Sequence, residues 1–205
     1  MLRLFWRTVL DQKLAAVDIA LSTREKLVKT ALLEFNSCGF EATNTNKIAR
    51  AAGYAPQTFY RHFENKLAAF IAAYEYWQQE ELQALNRSMH AHDKHSTDVA
   101  LTLLAFHQNY RTFRASLKKL AGEEPAVAAA REESRAAQVV HIAEGMPSIG
   151  QNRAHILAAI LSVEAITDGV AFGHFDGYTE NQEVRAGLIA DAVQPLMPTV
   201  FPDRV

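Results

Sequence analysis

The stretch TNTNKIARAAGYAPQTFYRHFENK, residues 43–66, decides how the chain folds. Thr43 or Asn44 can cap a short helix holding Ile48, Ala49, Ala51 and Ala52, because a side-chain oxygen there accepts a free amide of the first turn. Ala49 is small enough to let a second helix approach, and Gly53, four residues on, can make the turn between them. Pro56 suits the first position of that second helix, where a missing amide proton costs nothing. The helix is expected over 56–62, with Phe59 and Phe63 on its apolar side and Gln57, Thr58, Tyr60, Arg61 and His62 outward. Ile48, Ala49, Gly53 and Phe59 at this spacing make a helix-turn-helix skeleton. Asn65 then caps a longer third helix whose first turn carries Lys66, and a helix amino end beside a lysine is suited to a phosphate.

Working outward, Ser22-Thr23-Arg24-Glu25 is a capping box. It opens a helix with Leu27, Val28, Ala31, Leu32 and Phe35 on one face, and Gly39 can end it in the left-handed conformation. Downstream the pattern stays helical. Helices are expected over 65–89, 98–120 (with Leu101, Leu104, Phe106, Tyr110, Phe113 and Leu117), 123–145, 154–174 and 181–196. The segment before residue 22 carries Leu2, Phe5, Trp6, Val9, Leu10, Leu14 and Val17 near a helical stripe, with Arg3, Arg7 and Lys13 between. It reads as a docked amphipathic helix, as a basic arm, or as residues ahead of a later start; the first is preferred. The expected fold is all-α. Residues 1–21 form a helical extension, 22–68 a three-helix domain with a helix-turn-helix, and 69–205 a larger helical domain.

Charge supports a polarised molecule. From residue 22 to 66 seven basic residues face four acidic ones, whereas after Trp77 eleven basic residues face sixteen acidic ones. A mildly basic head on an acidic body offers one end to phosphates. A single cysteine, Cys38, excludes an intrachain disulfide framework and fits a reducing cytoplasm. No run is read as a membrane span of about 18 apolar residues, and Asp11, Gln12, Lys13 and Asp18 interrupt any signal-like apolar region. His90, His92 and His95, with Asp93, invite a metal reading. A solvated connection between helices is preferred, because no second ligand cluster accompanies them, and no metal or cofactor is expected.

The helix ending at Phe35 and Gly39-Phe40, then Thr43, Ile48-Ala49, Ala52-Gly53, Thr58-Phe59-Tyr60, His62-Phe63 and Lys66 together resemble the DNA-binding domain of the TetR family of bacterial transcriptional regulators. The resemblance covers residues 22–74, about a quarter of the chain. Two positions depart from it. The family often has Ser where this chain has Ala55, which removes a hydroxyl cap at a cost of about 1 kcal/mol. It often has Gly where this chain has Gln57, which adds a long amide able to read a base.

The resemblance implies a homodimer that sets two recognition helices in successive major grooves of a near-palindromic DNA operator, about 34 Å apart. Thr43, Tyr60, His62 and Lys66 would hold phosphates, and Gln57, Thr58 and Arg61 would meet base edges, Gln suiting adenine and Arg guanine. Asn46 and Arg50 would add contacts from the first helix of the pair. Tyr60 and His62 could instead serve helix packing. The resemblance also implies a small-molecule effector in the body that changes the separation of the heads. Phe106, Tyr110 and Phe113 could line its pocket, with His107, Asn109 or Glu164 as polar anchors, although each could be plain core. Asp168-Gly169 matches a recurring pair in the family's body. The last two helices, about 153–174 and 181–197, would form the dimer, Gly169 and Gly173 permitting close contact unless they merely end the helix.

An enzyme is not expected, since the chain has no nucleophile elbow, phosphate loop or zinc-binding helix motif. No membrane partner is expected either. The remaining alternatives are a membrane-associated protein using residues 1–21 and a helical interaction module whose head no longer reads DNA.

Overall fold

A computed structural model describes residues 21–90, 96–145 and 152–193, and all secondary structure among them is helical. The expectations for residues 1–20, for His92 and His95, and for the dimer segment beyond residue 193 fall outside the described residues. Nine helices are described: α1 (Thr23–Ala42), α2 (Thr45–Ala51), α3 (Pro56–Tyr60), α4 (Lys66–His90), α5 (Ser96–Asn109), α6 (Arg111–Glu123), α7 (Pro125–Gly145), α8 (Arg153–Ala171) and α9 (Gln182–Val193).

Local chemistry explains the head's boundaries. Ser22 and Glu25 make the reciprocal capping box, the Ser22 amide donating to Glu25 Oε2 at 2.8 Å while the Ser22 hydroxyl accepts from the Glu25 amide at 3.3 Å. Gly39 takes φ 81°, which breaks the regular helix before Phe40. Asn44 caps α2, its Oδ1 accepting the Lys47 amide at 2.9 Å, and Asn65 Oδ1 accepts the Ala68 amide at 2.9 Å at the start of α4. Between α2 and α3, Gly53 at φ 82° makes the turn.

Two apolar clusters fill the described protein. The first joins Leu27, Ala31 and Phe35 of α1, Ile48 of α2 and Phe59 of α3 to Phe70 and Trp77 of α4, Phe113 and Leu117 of α6, and Val127 of α7. Aromatic rings run through it as a chain, Phe35 meeting Phe70 and Phe70 meeting Phe113 at 5.0 Å each, and Trp77 meeting Phe113 at 6.3 Å. The head therefore shares its core with α6 and α7. The second cluster joins α5, α8 and α9 through Val99, Leu104, Val170, Ile189 and Val193.

The helix expected over 98–120 is broken at Tyr110, whose φ −109° and ψ 27° are not helical. Asn36 of α1 supplies the reason. Its amide nitrogen donates to the Asn109 carbonyl at 2.8 Å, and its side-chain oxygen accepts the Phe113 amide at 3.2 Å. These are backbone groups that a continuous helix would pair internally, and an outside partner makes the break affordable. Beside this contact Ser116 Oγ accepts the Phe40 amide at 3.1 Å, and Lys119 meets Glu41 at 3.0 Å. The turn of α1 is thus fastened to α6.

One further expectation is corrected. Helix α8 has a mean hydropathy of 1.5 and is long and apolar enough to cross a membrane by length and composition, so the chain does contain such a run. Gly169 in α8 and Gly173 just beyond it lie close to the segment that follows the helix. Gly173, at φ 84°, ends the helix, and a Cβ on Gly169 would lie 3.1 Å from the Phe175 ring. A larger side chain at Gly169 would press on the Phe175 ring, which folds back against the helix.

Asn36→Ala removes both bonds across the α5–α6 break and should cost about 1–3 kcal/mol in urea unfolding. A change within about 0.5 kcal/mol would show that the break persists without Asn36.

Candidate nucleic-acid interface

Helix α3 is held by one anchor. Phe59 is fully buried in the first apolar cluster, with the Phe63 ring 5.4 Å away between centroids. Gln57, Tyr60, Arg61 and His62 are exposed, and Thr58 is half-buried. Asn46 and Arg50 are exposed on α2. Tyr60 is 57% exposed, yet its hydroxyl lies 2.9 Å from Thr45 Oγ1, which ties α3 to the first turn of α2. The arrangement is a short polar face carried on a rigid apolar base. It can bring an amide, a guanidinium and an imidazole to one groove.

Two residues assigned to phosphates are engaged elsewhere. Thr43 is only 2% exposed, and its hydroxyl donates to the Gly39 carbonyl at 2.8 Å. Lys66 donates to the carbonyls of Phe40 and Thr43 at 2.8 and 3.0 Å, and its ammonium lies 4.0 Å from the centre of the Phe40 ring. The cause is common to both. Carbonyls at and just beyond the end of α1 fall outside the regular helical pairing, and these two side chains bond to them. Lys47, by contrast, pairs with Glu34 at 2.7 Å. Ala55 caps α3 with no side-chain bond, as the missing hydroxyl leads one to expect.

The residues proposed for an effector pocket are also placed. Phe113 is fully buried and Tyr110 nearly so, Phe106 is half-buried, and all three pack round Trp77. His107 is 4% exposed, with Nδ1 2.8 Å from Asp168 Oδ1 and Nε2 2.9 Å from Glu81 Oε1. Carboxylates only accept, so both ring nitrogens donate and the imidazole is held charged. Burial acts to lower its pKa, but the bonds to Asp168 and Glu81 outweigh this and the net shift is upward. Glu164 accepts from Arg114 at 3.1 Å, from Arg135 at 2.7 Å and from Arg131. Burial would raise its pKa, but the three guanidinium groups hold it down at about 2.

Sequence reasoning overlooked the centre of this cluster. Arg114 is 1% exposed and grips Asp168 through Nε at 3.1 Å and an Nη at 2.7 Å. Its guanidinium also lies 4.9 Å from the centre of the Trp77 ring. Burial alone would raise the Asp168 pKa; the bonds from His107 and Arg114 instead hold it well below the usual range. One signal was available, since Arg114 falls next to Phe113 and three residues before Leu117, on the apolar side of α6.

Residues 27–73 match the family described as "Bacterial regulatory proteins, tetR family". The helix-turn-helix head of this chain is therefore similar to that of the TetR family. Over 61 residues it is 41% identical to the "Probable acrEF/envCD operon repressor" of Escherichia coli (strain K12), covering 30% of this chain and 26% of that protein. Over 54 residues it is 37% identical to the "Uncharacterized HTH-type transcriptional regulator YerO" of Bacillus subtilis (strain 168), covering 26% of this chain and 19% of that protein. The match to these relatives therefore spans about a quarter of their length or less. A solved TetR family transcription regulator from Marinobacter aquaeolei VT8 shares the fold across head and body, with a TM-score of 0.55 at 21% identity over 83% of this chain and 94% of that one.

Two measurements check this geometry. Ala55→Ser should restore the α3 cap and raise stability by about 1 kcal/mol in thermal unfolding; no gain would mean that the start of α3 is fixed by its packing. The second is a pH profile. A raised His107 pKa adds stability that is complete below the unfolded value of about 6.5 and disappears as pH rises through the folded value. Stability should fall with rising pH above about 6.5, and His107→Gln should flatten that fall. At the acid end, the contribution of Glu164 should be lost between its ordinary 4.5 and about 2.

Proposed function

We propose that this chain is a ligand-responsive DNA-binding transcriptional regulator of the TetR family that grips a near-palindromic operator as a homodimer. The observation that carries this is the face of α3, where Gln57, Tyr60, Arg61 and His62 are all exposed on a helix anchored by buried Phe59. Gln57 and Arg61 are the base readers, with Thr58 beside them. Tyr60 and His62 hold phosphates, with Asn46 and Arg50 adding contacts from α2. Thr43 and Lys66 serve the interface by fixing the end of α1 against the start of α4, which sets the angle of the head. Repression is the favoured mode, in keeping with the relative named as an operon repressor, and the protein acts in the cytoplasm.

The dimer is proposed through α8 and α9. Leu157 and Leu161 lie one turn apart on α8 and are 37% and 40% exposed, and Val184 of α9 is 49% exposed. An apolar stripe of this kind calls for a partner surface, and a second copy supplies it with two-fold symmetry. An effector in the body releases the operator by favouring one separation of the heads over the other. The Asn36 contact to α5 and α6 and the length of α4 provide the mechanical link.

Recovery of bound fragments from sheared genomic DNA tests the reading. Enriched fragments should share inverted half-sites about one helical turn apart. Gln57→Ala and Arg61→Ala should each lose about 1–3 kcal/mol of discrimination, confined to particular base pairs. Tyr60→Phe should weaken all sequences alike. No enrichment, or losses from Gln57 and Arg61 that ignore sequence, would contradict it.

A further inference from the structure

Where α6, α7 and α8 meet, the cationic side chains outnumber the carboxylates they pair with among the described residues. Arg131 and Arg135 lie one turn apart on α7, and both reach across to Glu164 of α8. Arg114 reaches the same carboxylate from α6, so one acid holds three guanidinium groups. Lys118 adds a fourth cation 3.6 Å from Asp168. Against Glu81, Glu164 and Asp168 these four leave one surplus positive charge before His107 is counted. A carboxylate has about four acceptor positions, while each guanidinium has five donors, so Glu164 cannot saturate its partners. The side chains of Arg131 and Arg135 keep 14% and 22% of their exposure, so this edge of the seam is open to solvent.

Two further buried donors belong to the neighbourhood of Arg114 and Asp168. Trp77 Nε1 and Thr167 Oγ1 are fully buried, and neither has a hydrogen-bond partner among the described residues. Buried polar atoms normally have one. Thr167 lies three residues after Glu164 and one before Asp168, so Glu164, Thr167 and Asp168 project from one side of α8. The indole of Trp77 lies against both Arg114 and His107. A donor-rich site that already holds a carboxylate is shaped for a carboxylate.

We infer that the effector site is the Arg131–Arg135 clamp, and that its ligand is a small organic carboxylate taking the place of Glu164. This deepens the proposed function and rests on its reading of the body as the ligand domain. Glu164 is the internal competitor that closes the clamp when no ligand is bound. A planar monoanion suits the position better than a phosphate, because Asp168 lies within the same cluster and would repel a second negative charge. Displacing Glu164 frees α8 from α7 at a point four residues before Asp168. The signal therefore enters the cluster that joins α4, α5, α6 and α8.

The test is calorimetric titration of the full chain with benzoate and hexanoate, against benzamide and hexanamide, at fixed ionic strength and pH 7. The acids should bind and the amides should not. Arg131→Gln and Arg135→Gln should each weaken acid binding about ten-fold, the loss expected for one charged hydrogen bond. Glu164→Gln should strengthen it by a similar factor. Circular dichroism checks that each variant folds, and Arg135, the most exposed of the three arginines, is the least sensitive to misfolding. Amides that bind as well as acids, acid binding that survives loss of Arg131 and Arg135, or no binding to wild type and Glu164→Gln alike would each overturn the inference. DNA binding measured on the same samples separates the two readings. Operator binding without acid binding overturns only the carboxylate site, whereas acid binding without DNA binding supports that site and removes the operator reading.

Discussion

Arg114 and Asp168 lie almost wholly out of water in the middle of the body, and the helices round them are arranged so that neither is left alone. Arg114 comes from α6, Asp168 from α8, His107 from α5 and Glu81 from α4. Removing one partner of a buried pair strands a charge at a cost of about 3–5 kcal/mol. An apolar filling of the same seam could be as stable, but it would not fix four helices in one register. The polar cluster does so, because each carboxylate accepts only from donors at set positions. It lies where the head's apolar cluster meets that of α5, α8 and α9. Any change in the spacing of these helices has to pass through it.

The same logic joins the body to the head. The aromatic chain from Phe35 through Phe70 and Phe113 to Trp77 makes one continuous packed column. Asn36 then converts a break in one helix into a fastening for another. Packed interiors are not freely deformable, so α1 and α4 are held against α6. In the proposed function this is how a ligand in the body would be felt at the DNA.

What the sequence made legible was what local chemistry decides. The caps at Ser22, Asn44 and Asn65, the glycine turns at Gly39 and Gly53, and the apolar anchor at Phe59 each depend on residues a few positions away. The absent cap at Ala55 was legible for the same reason. The break at Tyr110 was not, because its cause is Asn36, 73 and 77 residues from the groups it satisfies. Thr43 and Lys66 were assigned to phosphate because they are polar and well placed. The carbonyls that claim them appear only once α1 and α4 have packed. Of the buried cluster, His107 and Glu164 were noticed as polar residues among apolar ones. Their partners lie between 26 and 61 residues away, a separation over which periodicity carries no information.

The central claim is that paired copies of α3 read DNA in successive major grooves. Hydroxyl-radical footprinting of the chain on a recovered fragment tests it most directly. Two short protected patches on one face of the duplex, about one helical turn apart and related by two-fold symmetry, are the predicted result. A single patch, or protection with no fixed position on the fragment, would contradict it.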